Sequence, residues 1–255
     1  MQTSSAVQRL DNDLRGIFGP RLRSLSIYGR RSLPTEAQSA KADAARDASD
    51  YHSAHGHQSP PTHTLAVVDG LSRADLRACA ERIDAWHEAG LATPLLVGAH
   101  EFEASLDAFP LEFGAMIADH VVVAGSNPFE GLSVDPADLR RAVEVHARGH
   151  LLHLREGFIE TRGRSDALSV LIVSSAPAMA ALVLSVARLE GQTRGDPAAA
   201  ARHAERTLGL TSGILADIVA LTGVREISSA DADRLFTPYL EAVERLVAHV
   251  DSWRK

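Results

Sequence analysis

Cysteine is almost missing from this chain: among 255 residues only Cys79 occurs. One thiol can form neither an intrachain disulfide nor a cysteine-based zinc site. Lysine is as scarce, found only at Lys41 and Lys255, so nearly all positive charge is arginine. The net charge is −7, which leaves no global basic field and argues against a nucleic-acid partner. Three common signatures are missing: the Gly-x-x-x-x-Gly-Lys-Ser/Thr phosphate loop, the Gly-x-Ser-x-Gly nucleophile elbow and the dinucleotide fingerprint. Met1 to Leu10 holds no apolar signal-peptide core, so a cytoplasmic location is expected. What remains is ordinary for a soluble globular protein, 45% hydrophobic and 23% charged, with length for one large domain or two small ones.

Periodicity divides the chain into two parts. Ser4 to Phe18 reads as an amphipathic helix with Val7, Leu10, Leu14 and Ile17 on one side, ended by Pro20. Arg21 to Gly29 alternates as a strand, with Leu22, Ser24, Ser26 and Tyr28 on one face and Leu25 and Ile27 on the other. Residues 30–61 are rich in Ala, Ser, Asp and His and nearly devoid of large apolar groups, the composition of a mobile insertion. Further strands are expected at His63–Val68, Pro94–Val97, Ala108–Phe113 and His120–Ala124. Helices are expected from Ser72 to Glu88 or Ala89, stopped by Gly90, and from His100 to Leu106. After Asp135-Pro136, an N-cap followed by proline at the first helical position, all is helical, with breaks near Gly163, Gly195-Asp196-Pro197, Gly209 and Gly223 to Ile227. The expected architecture is α+β: a mixed α/β domain over residues 1–133, then a helical bundle over 134–255.

Two segments carry the functional reading. One is the strand Leu25-Ser26-Ile27-Tyr28-Gly29; the other is Phe109-Pro110-Leu111-Glu112-Phe113, an apolar run around one carboxylate. With the Gly-containing turn Ala124-Gly125-Ser126-Asn127-Pro128-Phe129 and the pair Leu154-Arg155 inside a helix, their order and spacing resemble the nucleotidyltransferase superfamily of the DNA polymerase beta type. The likeness is to a bacterial branch with a helical C-terminal half, and it covers Leu22 to Asp251. The resemblance implies a first strand ending in Gly-Ser that cradles phosphate. It also implies a later strand beginning Asp-x-Asp or Asp-x-Asn and a third strand with one more acid. Such carboxylates hold Mg²⁺ against a triphosphate, the metal being the implied cofactor of an active member.

This chain departs from that pattern where the chemistry sits. Gly29 is followed by Arg30 and Arg31 in place of Ser, and Thr62 and Thr64 occupy the positions expected of metal ligands. A neutral hydroxyl brings no charge to Mg²⁺, so Glu112 alone survives of three acids. The residues assigned by resemblance are therefore Glu112 as a vestigial catalytic acid and Gly29, Arg30, Arg31, Thr62 and Thr64 as nucleotide contacts. The two arginines read as solvated loop charges, with phosphate ligands or partners of Glu112 as the functional alternatives.

The expectation is a nucleotidyltransferase-like protein, catalytically impaired, that binds a nucleotide, such as a nucleoside triphosphate, or a protein partner in the cleft between its two domains. One alternative is an active Mg²⁺-dependent transferase that modifies a small molecule, protein or RNA using displaced acids such as Asp69 or Asp107. Another is an antitoxin-like regulatory module.

Other features read as structural. His52, His55, His57 and His63 cluster with no acidic or hydrogen-bonding pattern to fix their rings, which suits adventitious metal binding. His146, His150 and His153 share one helical face beside the stripe Val143, Ala147, Leu151, Leu154 and Phe158, and are expected to pack against another helix or to line a cleft. Leu168 to Ala187 carries no charge and is long enough to span a membrane, but its serines and Pro177 mark it as the buried central helix of a bundle.

Overall fold

The computed structural model describes residues 4–29, 61–192 and 196–253. These fall into two compact units, one of residues 4–29 and 61–134 and the other of residues 135–192 and 196–253. The 30–61 insertion, with His52, His55 and His57, lies outside the described residues up to residue 60.

The first unit is a four-stranded mixed sheet between helices. Helix α1 (Ser5–Phe18) starts at Ser4, whose hydroxyl accepts the Val7 N–H, and leads into β1 (Leu22–Tyr28). β2 (His63–Val68), α2 (Arg73–Ala80), α3 (Ile83–Glu88), β3 (Leu95–Gly98), α4 (Ala99–Ala108), α5 (Pro110–Ala118) and β4 (His120–Gly125) follow. The strand order is β3-β2-β1-β4, antiparallel except for the β2–β3 pair. α1, α2 and α3 cover one face, where Val7, Leu10, Leu14, Phe18, Cys79 and Trp86 pack on Leu25, Ala66 and Val68. α4 and α5 cover the other, where Phe102, Leu106, Phe113 and Met116 pack on Leu65, Val67 and Val97. Strand alternation produces this split, since successive residues of β2 point to opposite faces.

Two sequence expectations change here. The register of β1 against β2 shifts between Leu22 and Ser24, so Leu22 joins Leu25 and Ile27 against α1 instead of sharing the face of Ser24 and Ser26. The expected helix from Ser72 to Glu88 is two helices, α2 and α3, broken at Glu81 and Arg82. Its start is firmly set: Ser72 and Asp75 form a reciprocal capping box, and Asp75 also accepts two N–H bonds from Arg21 at 2.7 and 2.9 Å. The Arg21 guanidinium, then the Ser72 hydroxyl and N–H, hold the Asp75 carboxyl far below its ordinary value.

The second unit is all helix: α6 (Pro136–Thr161), α7 (Ser165–Leu189), α8 (Pro197–Leu208), α9 (Ile214–Ala220) and α10 (Ser229–Ser252). Asp135 caps α6 by accepting the Ala137 N–H at 2.7 Å, with Pro136 at the first helical position. α7 touches each of the other four helices and buries Leu168, Ile172, Met179, Leu182, Val183 and Val186. Its mean hydropathy over the most apolar window is 2.2, so by length and composition it passes the test for a membrane span. Within this unit it is the core helix. Ser169 and Ser185 satisfy their hydroxyls on the carbonyls of Asp166 and Ala181.

Glu190, just past α7, ties three helices together. One carboxylate oxygen accepts from His203 Nε2 of α8 at 2.5 Å and the other from His249 Nε2 of α10 at 2.7 Å. A Glu190→Ala variant leaves both imidazoles without their acceptor and is expected to lose about 2 kcal/mol of stability in a urea melt followed by circular dichroism. An unchanged midpoint would show that water replaces the carboxylate at no cost.

Candidate active site

The end of the sheet where β1 finishes is where the family resemblance places phosphate. Gly29 terminates β1 with φ +67°, a backbone conformation that favours glycine, and an added Cβ there would meet nothing within 4 Å. Its N–H donates to the Asp119 carbonyl at 3.2 Å. Because β1 and β2 are antiparallel, the start of β2 lies beside it, with Tyr28 opposite His63 in the register. β4 completes the row on the other side, with Tyr28 opposite His120. The Tyr28 and His63 rings are 5.8 Å apart, and burial lowers the His63 pKa, favouring the neutral imidazole. His120 Nδ1 lies 3.0 Å from the Met116 carbonyl, and its ring is 4.5 Å from that of Phe129.

Thr62 is clamped through its backbone. Its N–H donates to the Gly90 carbonyl at 2.9 Å, and its carbonyl accepts from the Ala92 N–H at 3.0 Å. Thr64 lies opposite Ile27 and, by alternation, shares the face of Ala66 and Val68 against α1. It is fully buried and its hydroxyl has no hydrogen-bond partner. Thr64 is therefore committed to an apolar layer.

Glu112 corrects a larger expectation. Ala108 to Phe113 is not a strand: α4 ends at Ala108, and Pro110 opens α5, which carries Glu112 in its first turn. Proline at the first helical position starts a helix well and donates no ladder bond to a sheet, so local chemistry favours the helix. α5 packs on the sheet through Phe113 and Met116, against the face opposite Thr64. The fold thus brings Gly29 and Thr62 to one sheet end but puts Thr64 and the helix bearing Glu112 on opposite faces. Arg30 and Arg31 lie outside the described residues.

Of the two displaced acids, Asp69 does not approach Gly29 along the sheet. Asp69 follows β2 at the end beside Leu22, where it accepts from Arg23 Nε at 2.5 Å. A strand of six residues puts that point about 20 Å from the Gly29 end. Asp107 is exposed near the end of α4. The carboxylate whose backbone is bonded to Gly29 is that of Asp119, which sequence reading passed over. Its signal was present: it directly precedes a strand that pairs with β1. His63 and His120 were equally readable as the first residues of strands flanking Tyr28.

A divalent ion of the kind the resemblance implies needs converging anionic oxygens. Among the described residues no three His, Cys, Asp or Glu side chains converge to hold a metal. With Thr64 buried on the face opposite α5, the described residues do not fit an Mg²⁺ pair.

In the helical unit His146 and His150 are buried, whereas the side chain of His153 is 84% exposed. The expectation that all three pack against a neighbouring element holds for the first two only. Ser175 donates to the Ile172 carbonyl at 2.8 Å, so the Tyr239 hydroxyl, 3.1 Å away, donates to Ser175. Tyr239 then accepts from His150 Nε2 at 2.6 Å, which fixes the proton on that nitrogen. Burial pushes the His150 pKa down to about 3 and the Tyr239 phenol well up.

No family model and no curated protein matches the sequence. Among solved structures the chain is similar to a spectinomycin adenyltransferase from Enterococcus faecialis, determined with ATP and spectinomycin. The TM-score is 0.51 at 11% sequence identity, over 98% of this chain and 100% of that one. At that identity the likeness establishes a nucleotidyltransferase-like fold.

Proposed function

We propose that this protein binds a nucleoside triphosphate at the Gly29 end of the sheet and has lost most or all nucleotidyl transfer. The observation that carries the reading is the pairing of an approachable glycine turn at Gly29 with Thr62 and Thr64 in place of acids on an adenyltransferase-like fold. Gly29 is half-buried, and the open space where a Cβ would stand leaves room for a phosphate to approach the strand end. Arg30 and Arg31, the next residues in sequence, would supply positive charge in place of the ion. The neutral Thr64 hydroxyl, buried with no polar contact, cannot compensate the charge that builds up in phosphoryl transfer. We read the protein as soluble and cytoplasmic.

Calorimetric titration with ATP and other nucleoside triphosphates tests this. Binding is expected with a Kd that changes less than about threefold when Mg²⁺ is added, a difference well under 1 kcal/mol. Arg30→Ala combined with Arg31→Ala is expected to weaken binding at least tenfold. Mg²⁺-dependent transfer of a labelled nucleotide, abolished by Glu112→Ala, would overturn the loss of activity; no heat with any nucleotide would overturn the binding.

A further inference from the structure

Helix α6 buries Val143, Ala147, His150 and Leu154 in its own unit. Its opposite side carries Val145, Leu152 and Ile159, which are 69, 56 and 73% exposed. They recur every seventh residue, so each step drifts by only about 20° around the helix, and the three form one stripe about 21 Å long. A soluble chain rarely leaves three large aliphatic side chains aligned in water without a partner.

The flanks of the stripe say what the partner is. By the 3.6-residue period, Arg148 and Arg155 border it on one side, and Gly149 and Glu156 on the other. Gly149 adds no bulk, since a Cβ there would meet nothing within 4 Å. When two copies of a helix pair side by side and parallel, the two-fold axis runs along the seam and sets opposite flanks against each other. Arg155 then faces Glu156 of the second copy, and the pair forms twice. An antiparallel pair sets arginine flank on arginine flank and acid on acid, which is repulsive. Arg155 donates one N–H to Glu244 at 2.7 Å and keeps further guanidinium donors for a second carboxylate.

We propose that the chain forms a homodimer through α6, parallel to its copy, with Val145, Leu152 and Ile159 each against the same residue of the second protomer. The test is sedimentation of the full chain from about 1 to about 100 µM, a range that brackets a weak helix-mediated dimer. Wild type is expected to dimerise across that range, and Leu152→Glu to stay monomeric with an unchanged circular dichroism spectrum. Should Leu152→Glu misfold, the charge pair decides. Arg155→Glu and Glu156→Arg each weaken the dimer at least tenfold, and the double exchange restores it.

Orientation is read by mild oxidation. Val145→Cys and Ile159→Cys are each expected to cross-link to themselves, while the buried Cys79 keeps wild type uncross-linked. A wild type that is monomeric throughout overturns the proposal. So do a dimer indifferent to Leu152→Glu and cross-links formed only when the two cysteine variants are mixed.

Discussion

A Gly125→Ala variant is expected to lose about 4 kcal/mol or more in the N-terminal unit, the largest effect of a methyl group at any of the described glycines. Gly125 has φ +77°, where a non-glycine residue already costs about 1–2 kcal/mol. A Cβ built there would come within 2.0 Å of the Arg23 carbonyl oxygen and 3.0 Å of the Ser24 Cα, all backbone of the central strand. No rotamer change relieves a clash with backbone, so β1 or β4 must move, and the β1–β4 ladder is lost with it. The contrast is Gly157, where the atoms in the way belong to the Leu171 side chain, which can turn aside. Gly157→Ala should cost only about 1–2 kcal/mol. Trp86, buried in the first unit, gives the fluorescence signal for a urea melt. Equal midpoints for wild type and Gly125→Ala would mean that β4 is not held against β1 as described.

Acid should loosen the helical unit well before its carboxylates protonate. The folded state holds the His150 pKa near 3, against an ordinary value of 6.5. Below that ordinary value the unfolded chain takes up a proton that the folded chain refuses, so stability is full above about pH 6.5 and falls as pH drops. The slope is about 1.4 kcal/mol per pH unit, giving a loss of about 3 kcal/mol over two units. His146 and His153 on the same helix repel the added charge as well, while Tyr239 of α10 and Ser175 of α7 offer the ring only neutral partners. His63 shifts in the same direction in the first unit, so the comparison must be between variants. His150→Gln, which keeps an N–H for Tyr239, is expected to flatten the dependence of the urea midpoint between about pH 6 and pH 4. Tyr239→Phe should leave the dependence and lower stability at neutral pH by about 2 kcal/mol, the cost of an orphaned buried N–H. The Asp75–Arg21 pair, whose lowered carboxyl pKa withdraws stability only below its ordinary 3.8, lies outside this window. A His150→Gln protein with the wild-type acid slope would place the titration elsewhere.

The helical half was readable because its boundaries are chemical. Asp135-Pro136, Gly163, Gly209 and the break after Gly223 each fall at a helix end, and α7 is central because its stretch from Leu168 to Ala187 carries no charge and is apolar on most sides. Phe109 to Phe113 departs from its expected strand because four apolar residues around one acid fit a short strand as well as a helix. The deciding signals were Pro110 at the first helical position and the continuation through Gly114 to Ala118, which makes nine residues. That error carried the site with it, since a helical Glu112 belongs to the layer opposite Thr64. The sequence could place Gly29 and Thr62 at neighbouring strand ends. It could not tell which sheet face each threonine would take, because that depends on which helices cover which side.

β1 is the first strand to be synthesised and the last to be completed, since its second neighbour, β4, begins only at His120. A nascent chain carries an uncovered strand edge until Gly125 has emerged, and this edge is open to association with other chains. Closing so long a loop also slows folding relative to the locally connected helices that follow. Proteolytic or translational truncation anywhere before Gly125 is therefore a route to aggregates, whatever the fragment retains of the glycine turn.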